Sequence, residues 1–202
     1  MIFFRFPFSE TIYTVEETSF SEAVSFLSFD QSEKIDFKGM LKAISGAEFL
    51  NQEVFHDILN TELLDFKEET DREYQKKLLN VIHFIKENQL SKLVISRRKL
   101  VQFNDSKLSL SQTFLNLCET YKNAFVYFFI KDGECWLGAF SELLGKFDKK
   151  TSEFQTMSLA GTIPVDENWT DKEIEEQEPV TDFISNTLKN YASEVYKSDT
   201  YD

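Results

Sequence analysis

The chain has 202 residues, 42% hydrophobic and 28% charged, enough to bury a core and too apolar for a disordered polyelectrolyte. Its 22 basic and 35 acidic residues leave a net charge of −13, which argues against nucleic-acid binding and against docking on anionic lipid. Cys118 and Cys135 cannot build a disulfide framework, and no apolar run approaches the roughly 20 residues of a membrane span, so a cytoplasmic location is expected.

In chain order, Ile2 to Phe8 and Thr11 to Val15 predict short strands around a Pro-Phe-Ser turn, and Met40 to Leu64 has helical character. Thr70-Asp71-Arg72-Glu73 matches a capping box. Behind it Tyr74, Leu78, Val81, Ile82 and Ile85 form one stripe of an amphipathic helix that ends near Asn88. Leu93-Val94-Ile95 is a continuous apolar run of the kind that makes a strand buried on both faces. A second helix carries Leu110, Phe114, Leu117, Cys118 and Tyr121 on one side. Phe125 to Ile130 and Cys135 to Phe140 flank Asp132-Gly133, a two-residue hairpin signal. A strand over Glu153 to Leu159 and a helix over Asp171 to Tyr191, with Pro179 inside it, complete the chain. Hairpin-paired strands interspersed with helices predict an α+β fold. With 21 Phe, 6 Gly, 3 Pro and no linker or repeat, residues 1–202 read as one domain.

Four places could carry chemistry, each with a plainer reading beside it. Lys92 stands at the mouth of the Leu93-Val94-Ile95 run, where a strand-end lysine can also simply snorkel to solvent. Glu142 follows the hairpin and could be an exposed carboxylate. Leu159-Ala160-Gly161-Thr162 offers small residues that let backbone approach a ligand, or forms only a turn. Glu176 falls on the stripe of Val180, Phe183 and Ile184, where a carboxylate needs a partner or a cation. Alternatively, Pro179 starts the helix and leaves Glu176 in a solvated loop. His56 and His83 form no triad, and no phosphate loop or Cys/His cluster is present.

Taken in order, Lys92-Leu93-Val94-Ile95-Ser96-Arg97, Gly138-Ala139-Phe140-Ser141-Glu142-Leu143-Leu144, Leu159-Ala160-Gly161-Thr162 and Lys172-Glu173-Ile174-Glu175-Glu176-Gln177 resemble the motifs of the chorismate-utilising enzymes. They span about residues 70–190. Family members that add water carry a lysine at the position of Lys92, whereas those that add ammonia carry a glutamine. One amine-transferring branch places a lysine where this chain has Ala160. The resemblance therefore implies an isochorismate synthase of menaquinone or siderophore biosynthesis, with salicylate synthase or an inactive chorismate-binding remnant as alternatives.

The same resemblance implies roles. Lys92 is the general base for the attacking water, Glu142 the general acid for the leaving hydroxyl, Ala160, Gly161 and Thr162 the substrate-binding strip, and Glu176 a ligand of Mg²⁺. The base must be an uncharged amine, which desolvation beside Leu93-Val94-Ile95 would favour, and the acid must be protonated. Phe140-Ser141 stands where the family has Ser-Pro, and Glu175 and Gln177 stand where relatives often have histidine. Relatives are longer, and their further part supplies a second metal-binding glutamate. The chain thus resembles the N-terminal half of such an enzyme, expected to be inactive by itself and to self-associate through uncovered apolar surface.

Overall fold

A computed structural model describes residues 1–52, 67–90, 92–99, 109–164 and 166–198, with backbone alone at 19–23 and 134. The described strands are β1 (Ile2–Arg5), β2 (Ile12–Leu27), β3 (Lys34–Ile44), β4 (Phe125–Lys131), β5 (Glu134–Phe140), β6 (Lys146–Asp148) and β7 (Glu153–Gln155). The described helices are α1 (Gly46–Leu50), α2 (Asp71–Asn88), α3 (Leu110–Thr120) and α4 (Asp171–Leu188). The architecture is α+β with antiparallel sheets. Its contacts gather into two compact units, Met1–Asp65 with Gln102–Ser141 and Phe66–Val101 with Glu142–Asp202.

The first unit is a five-stranded sheet in the order β3-β2-β1-β4-β5. The period-two alternation of β1 and β4 sends side chains to both faces. Phe3, Val126 and Phe128 point to one face and pack with Phe49 of α1 and with Leu110 and Phe114 of α3. Ile2, Phe4 and Phe129 point to the other and join Phe37 of β3. The rings meet edge-on, tilted or stacked: Phe3 and Phe49 have centroids 4.9 Å apart at 77°, Phe49 and Phe114 are 4.9 Å apart at 46°, and Phe3 and Phe128 lie 6.3 Å apart at 14°. These are favourable arrangements of ring quadrupoles. Arg5 is buried at the end of β1, where its guanidinium donates to the carbonyls of Phe6, Ser9, Tyr121, Lys122 and Ala124 at 2.7–3.2 Å. A buried cation here serves as the cap of the turn that joins α3 to β4.

The β4–β5 hairpin forms as predicted. Asp132 (φ 53°) and Gly133 (φ 83°) both take the left-handed backbone of a type I′ turn, and seven residue pairs run from Phe125↔Phe140 to Lys131↔Glu134. Two expectations in this unit are corrected. The strand begun at Thr11 continues to Leu27, because β3 pairs along its whole length through register shifts between Glu17 and Val24. Met40 to Ile44 is the end of β3 rather than helix, since that same ladder outweighs the local helical character, and helix appears only at Gly46–Leu50. The rest of the expected helix, residues 53–64, lies outside the described residues, as does His56.

In the second unit α2 begins at the predicted capping box. The Glu73 amide donates to Thr70 Oγ1 (3.3 Å), and the Thr70 amide donates to Glu73 Oε2 (2.9 Å). The run Leu93-Val94-Ile95 is not a strand here but irregular chain, with Val94 80% exposed. Three apolar residues in a row mark a buried strand only where neighbouring strands are there to pair with them. The strand expected over Glu153 to Leu159 is only Glu153–Gln155, paired with β6. α4 runs through Pro179, so the reading in which Pro179 starts the helix is set aside; the missing N–H costs one helical hydrogen bond there.

Candidate active site

All six residues singled out above lie in the second unit. A sequence of contacts joins the four motifs that carry them. Segment 92–99 is tied to the start of α2 by Arg97, whose Nη2 donates to Asp71 Oδ1 (2.8 Å) and to the Glu69 carbonyl (2.9 Å). The same guanidinium lies 5.0 Å from the centre of the Tyr74 ring, a cation–π contact. At the other end of the segment Lys92 Nζ pairs with Glu176 Oε1 of α4 at 3.4 Å. Glu176 therefore has the partner that a carboxylate on this stripe requires. The pair is only partly shielded, with the Lys92 side chain 26% exposed and that of Glu176 38%. The desolvated, strand-end setting expected for Lys92 is thus replaced by an ion pair at a half-open surface.

The buried stripe of α4 is rotated from the one expected. Phe183 is 71% exposed, and Glu173, Gln177, Val180 and Ile184 turn inward instead. Glu173 is buried at the helix start, where Oε2 accepts from the Thr170 hydroxyl and from the Thr170 amide (3.0 Å). These bonds, the hydroxyl first, hold its carboxyl at about 2 instead of 4.5. Since the folded value lies below the unfolded one, this contribution to stability is full above about pH 4.5 and fades as pH falls towards 2. Melting temperature should accordingly drop between about pH 5 and pH 3 more in wild type than in Glu173→Gln, which cannot titrate. Equal drops in thermal melts of the two proteins would show that the cap does not carry this dependence.

Gln177 has no role in the sequence reading beyond flanking Glu176, yet it organises the small-residue strip. Its Oε1 accepts from the amides of Ala160 (2.9 Å) and Gly161 (3.2 Å), and its Nε2 donates to Ser158. The available signal was its spacing four residues beyond Glu173 and four before Thr181, on one helical face. Gly161 is buried, and a Cβ there would stand 2.6 Å from the Glu173 carbonyl oxygen, so the close approach that demands glycine is made by α4. Thr162 is exposed. Upstream, the Met157 amide donates to the Leu143 carbonyl (3.0 Å), and Thr156 Oγ1 donates to that of Leu144 (2.9 Å). These bonds hold the strip's approach beside the residues that follow Glu142, which is itself exposed. Among the described residues no ion pair or hydrogen bond joins Glu142 to Lys92 or Glu176.

Residues 14–201 match the sequence model of a family described as chorismate binding enzyme. The chain belongs to that family. No curated protein and no solved structure matches it. Other chemistry-bearing side chains among the described residues have plain settings. His83 is an exposed partner of Glu87 (3.1 Å). Burial pushes both the Cys118 and Cys135 thiols up, away from the nucleophilic thiolate. No described helix is long and apolar enough to cross a membrane.

As for a metal, the described residues contain no group of three His, Cys, Asp or Glu side chains suited to one ion. Glu176 offers one half-exposed carboxylate. Mg²⁺ is commonly held by one or two carboxylates with water and substrate oxygens, so Glu176, once released from Lys92, would supply one ligand of such a shell.

Proposed function

We propose that this protein is an isochorismate synthase, a Mg²⁺-dependent isomerase acting on chorismate. The observation that carries the reading is the Lys92–Glu176 contact: residues to which the resemblance assigns base and metal ligand come from distant motifs to within 3.4 Å. Lysine at 92 together with alanine at 160 favours the branch that adds water over the branches that add ammonia.

In this reading water attacks C2 of chorismate, the ring double bonds shift, and the C4 hydroxyl departs. Lys92 accepts the proton of the attacking water, and Glu142 delivers a proton to the leaving oxygen, which departs as water. One water enters and one leaves, so the reaction is an isomerisation with no redox partner. Each group must start in its less common form, amine at Lys92 and carboxylic acid at Glu142. Glu176 would hold Mg²⁺, which when bound supplies positive charge for the carboxylates of an anionic substrate on an anionic protein. The same carboxylate cannot serve the Lys92 ammonium and a metal ion at full strength, so the ion pair and metal binding oppose one another.

Purified full-length protein, chorismate and Mg²⁺ in water labelled with oxygen-18 test the proposal. Isochorismate carrying the label should appear by chromatography and mass spectrometry, and should vanish when a chelator removes the metal. Absence of isochorismate above the protein-free control, or a product formed only with ammonium salts, would overturn the reading.

A further inference from the structure

We propose that Gln177 is the positioning residue of this site: its carboxamide seats the backbone of Ser158 to Gly161 on α4, beside the Lys92–Glu176 pair. Both ends of the side chain are spent on that strip. Oε1 accepts from the Ala160 and Gly161 amides, while Nε2 donates to the Ser158 carbonyl (2.9 Å) and lies 2.8 Å from Ser158 Oγ. Thr181, one turn along α4, supports the arrangement, with its Oγ1 2.8 Å from Ser158 Oγ and 3.2 Å from Gln177 Nε2.

The task needs an acceptor with two lone pairs and a double donor on one planar group. Glutamate lacks the donor, lysine and arginine lack the acceptor, and a neutral imidazole has one of each. Gln177 also directly follows Glu176, so one turn of α4 sets the place of the carboxylate and of the strip. Gly161 leaves little slack, because it already rests on the Glu173 carbonyl. Without the carboxamide two amides and a carbonyl lose their partners, and the strip is free to drift from Glu176. The consequence for substrate rests on the chorismate reading above: drift of the strip weakens binding more than it slows the chemical step.

Amide hydrogen exchange of the full chain without substrate, read by NMR, tests the assignment. Gln177→Met keeps the length but neither accepts two N–H groups nor donates. In it the Ala160 and Gly161 amides should exchange at least about tenfold faster, the scale of one or two lost hydrogen bonds, while those of Ile184 and Ser185 within α4 keep their rates. Gln177→Glu retains the acceptor and should keep both amides within about threefold of wild type. Unchanged exchange at Ala160 and Gly161 in folded Gln177→Met overturns the proposal. If that variant does not fold, Gln177→Glu decides: retained protection supports the assignment and lost protection overturns it. With chorismate, KM should rise about tenfold in Gln177→Met with kcat within about threefold, and a fall in kcat at constant KM would also overturn it. Because exchange is read without substrate, a wild type that forms no isochorismate would remove the functional reading alone and leave Gln177 to be judged by its exchange rates.

Discussion

In the full-length protein, Lys92→Ala and Glu142→Gln should each lower chorismate turnover by roughly two to four orders of magnitude, the scale of a positioned general base or acid. The two substitutions act differently. Lys92→Ala removes the proton acceptor and also strips Glu176 of its partner at 3.4 Å, so metal binding should be retained or strengthened while turnover collapses. Glu142→Gln keeps the size of an exposed side chain and removes only its transferable proton, so the fold should be untouched. Steady-state kinetics with circular dichroism on the same preparations checks both. Turnover within about threefold of wild type in either folded variant would remove that residue from the mechanism. Lys92→Gln should not by itself create an amine-transferring enzyme, because that chemistry depends on residues elsewhere as well.

The second large effect concerns the core of the first unit. Phe114→Ala should cost about 3–5 kcal/mol, the range for emptying a fully buried aromatic site. Phe114 is 0% exposed, and its ring stands 4.9 Å from Phe49 and 6.4 Å from Phe128, joining α1 and α3 to the central strands. The rings around it cannot collapse into the void without breaking their contacts with the sheet. Against a typical total of about 5–15 kcal/mol, such a loss should lower the urea midpoint markedly. Phe183→Ala on the exposed face of α4 is the matched control and should stay within about 0.5 kcal/mol of wild type. A small loss at Phe114, or a large one at Phe183, would mean that the burial described for these rings is wrong.

The contrast between these two phenylalanines shows where sequence patterning succeeds. For Phe114 it does, because the stripe through Leu110, Phe114 and Leu117 leaves one possible inward face. For Phe183 it fails, because α4 has few apolar residues, so its inward side is chosen by polar groups: buried Glu173, and Gln177 bonded to the strip. A hydrophobic stripe cannot report a face held by hydrogen bonds. For the same reason patterning says that Glu176 needs a partner but not which one; nothing local points from α4 to Lys92.

What the sequence determined by itself is what neighbours along the chain decide. The Thr70–Glu73 capping box, the two-residue turn at Asp132-Gly133 and the spans of α2 and α3 all follow from residues a few positions apart. Their hydrogen bonds close within one helical turn or one hairpin, so residue type and spacing suffice. What only the tertiary structure decided is each pairing across long separations. The β2–β3 ladder extends a strand to Leu27 and overrides helical character at Met40–Ile44, because pairing with a long antiparallel partner supplies hydrogen bonds and packing that an isolated short helix would not. Val94 lies exposed because apolar character fixes burial only where another surface arrives to cover it. Arg5 is held by five carbonyls, Lys92 by Glu176, and the Ala160–Gly161 strip by Gln177, because a buried or half-buried polar group takes whatever partner the fold brings within reach.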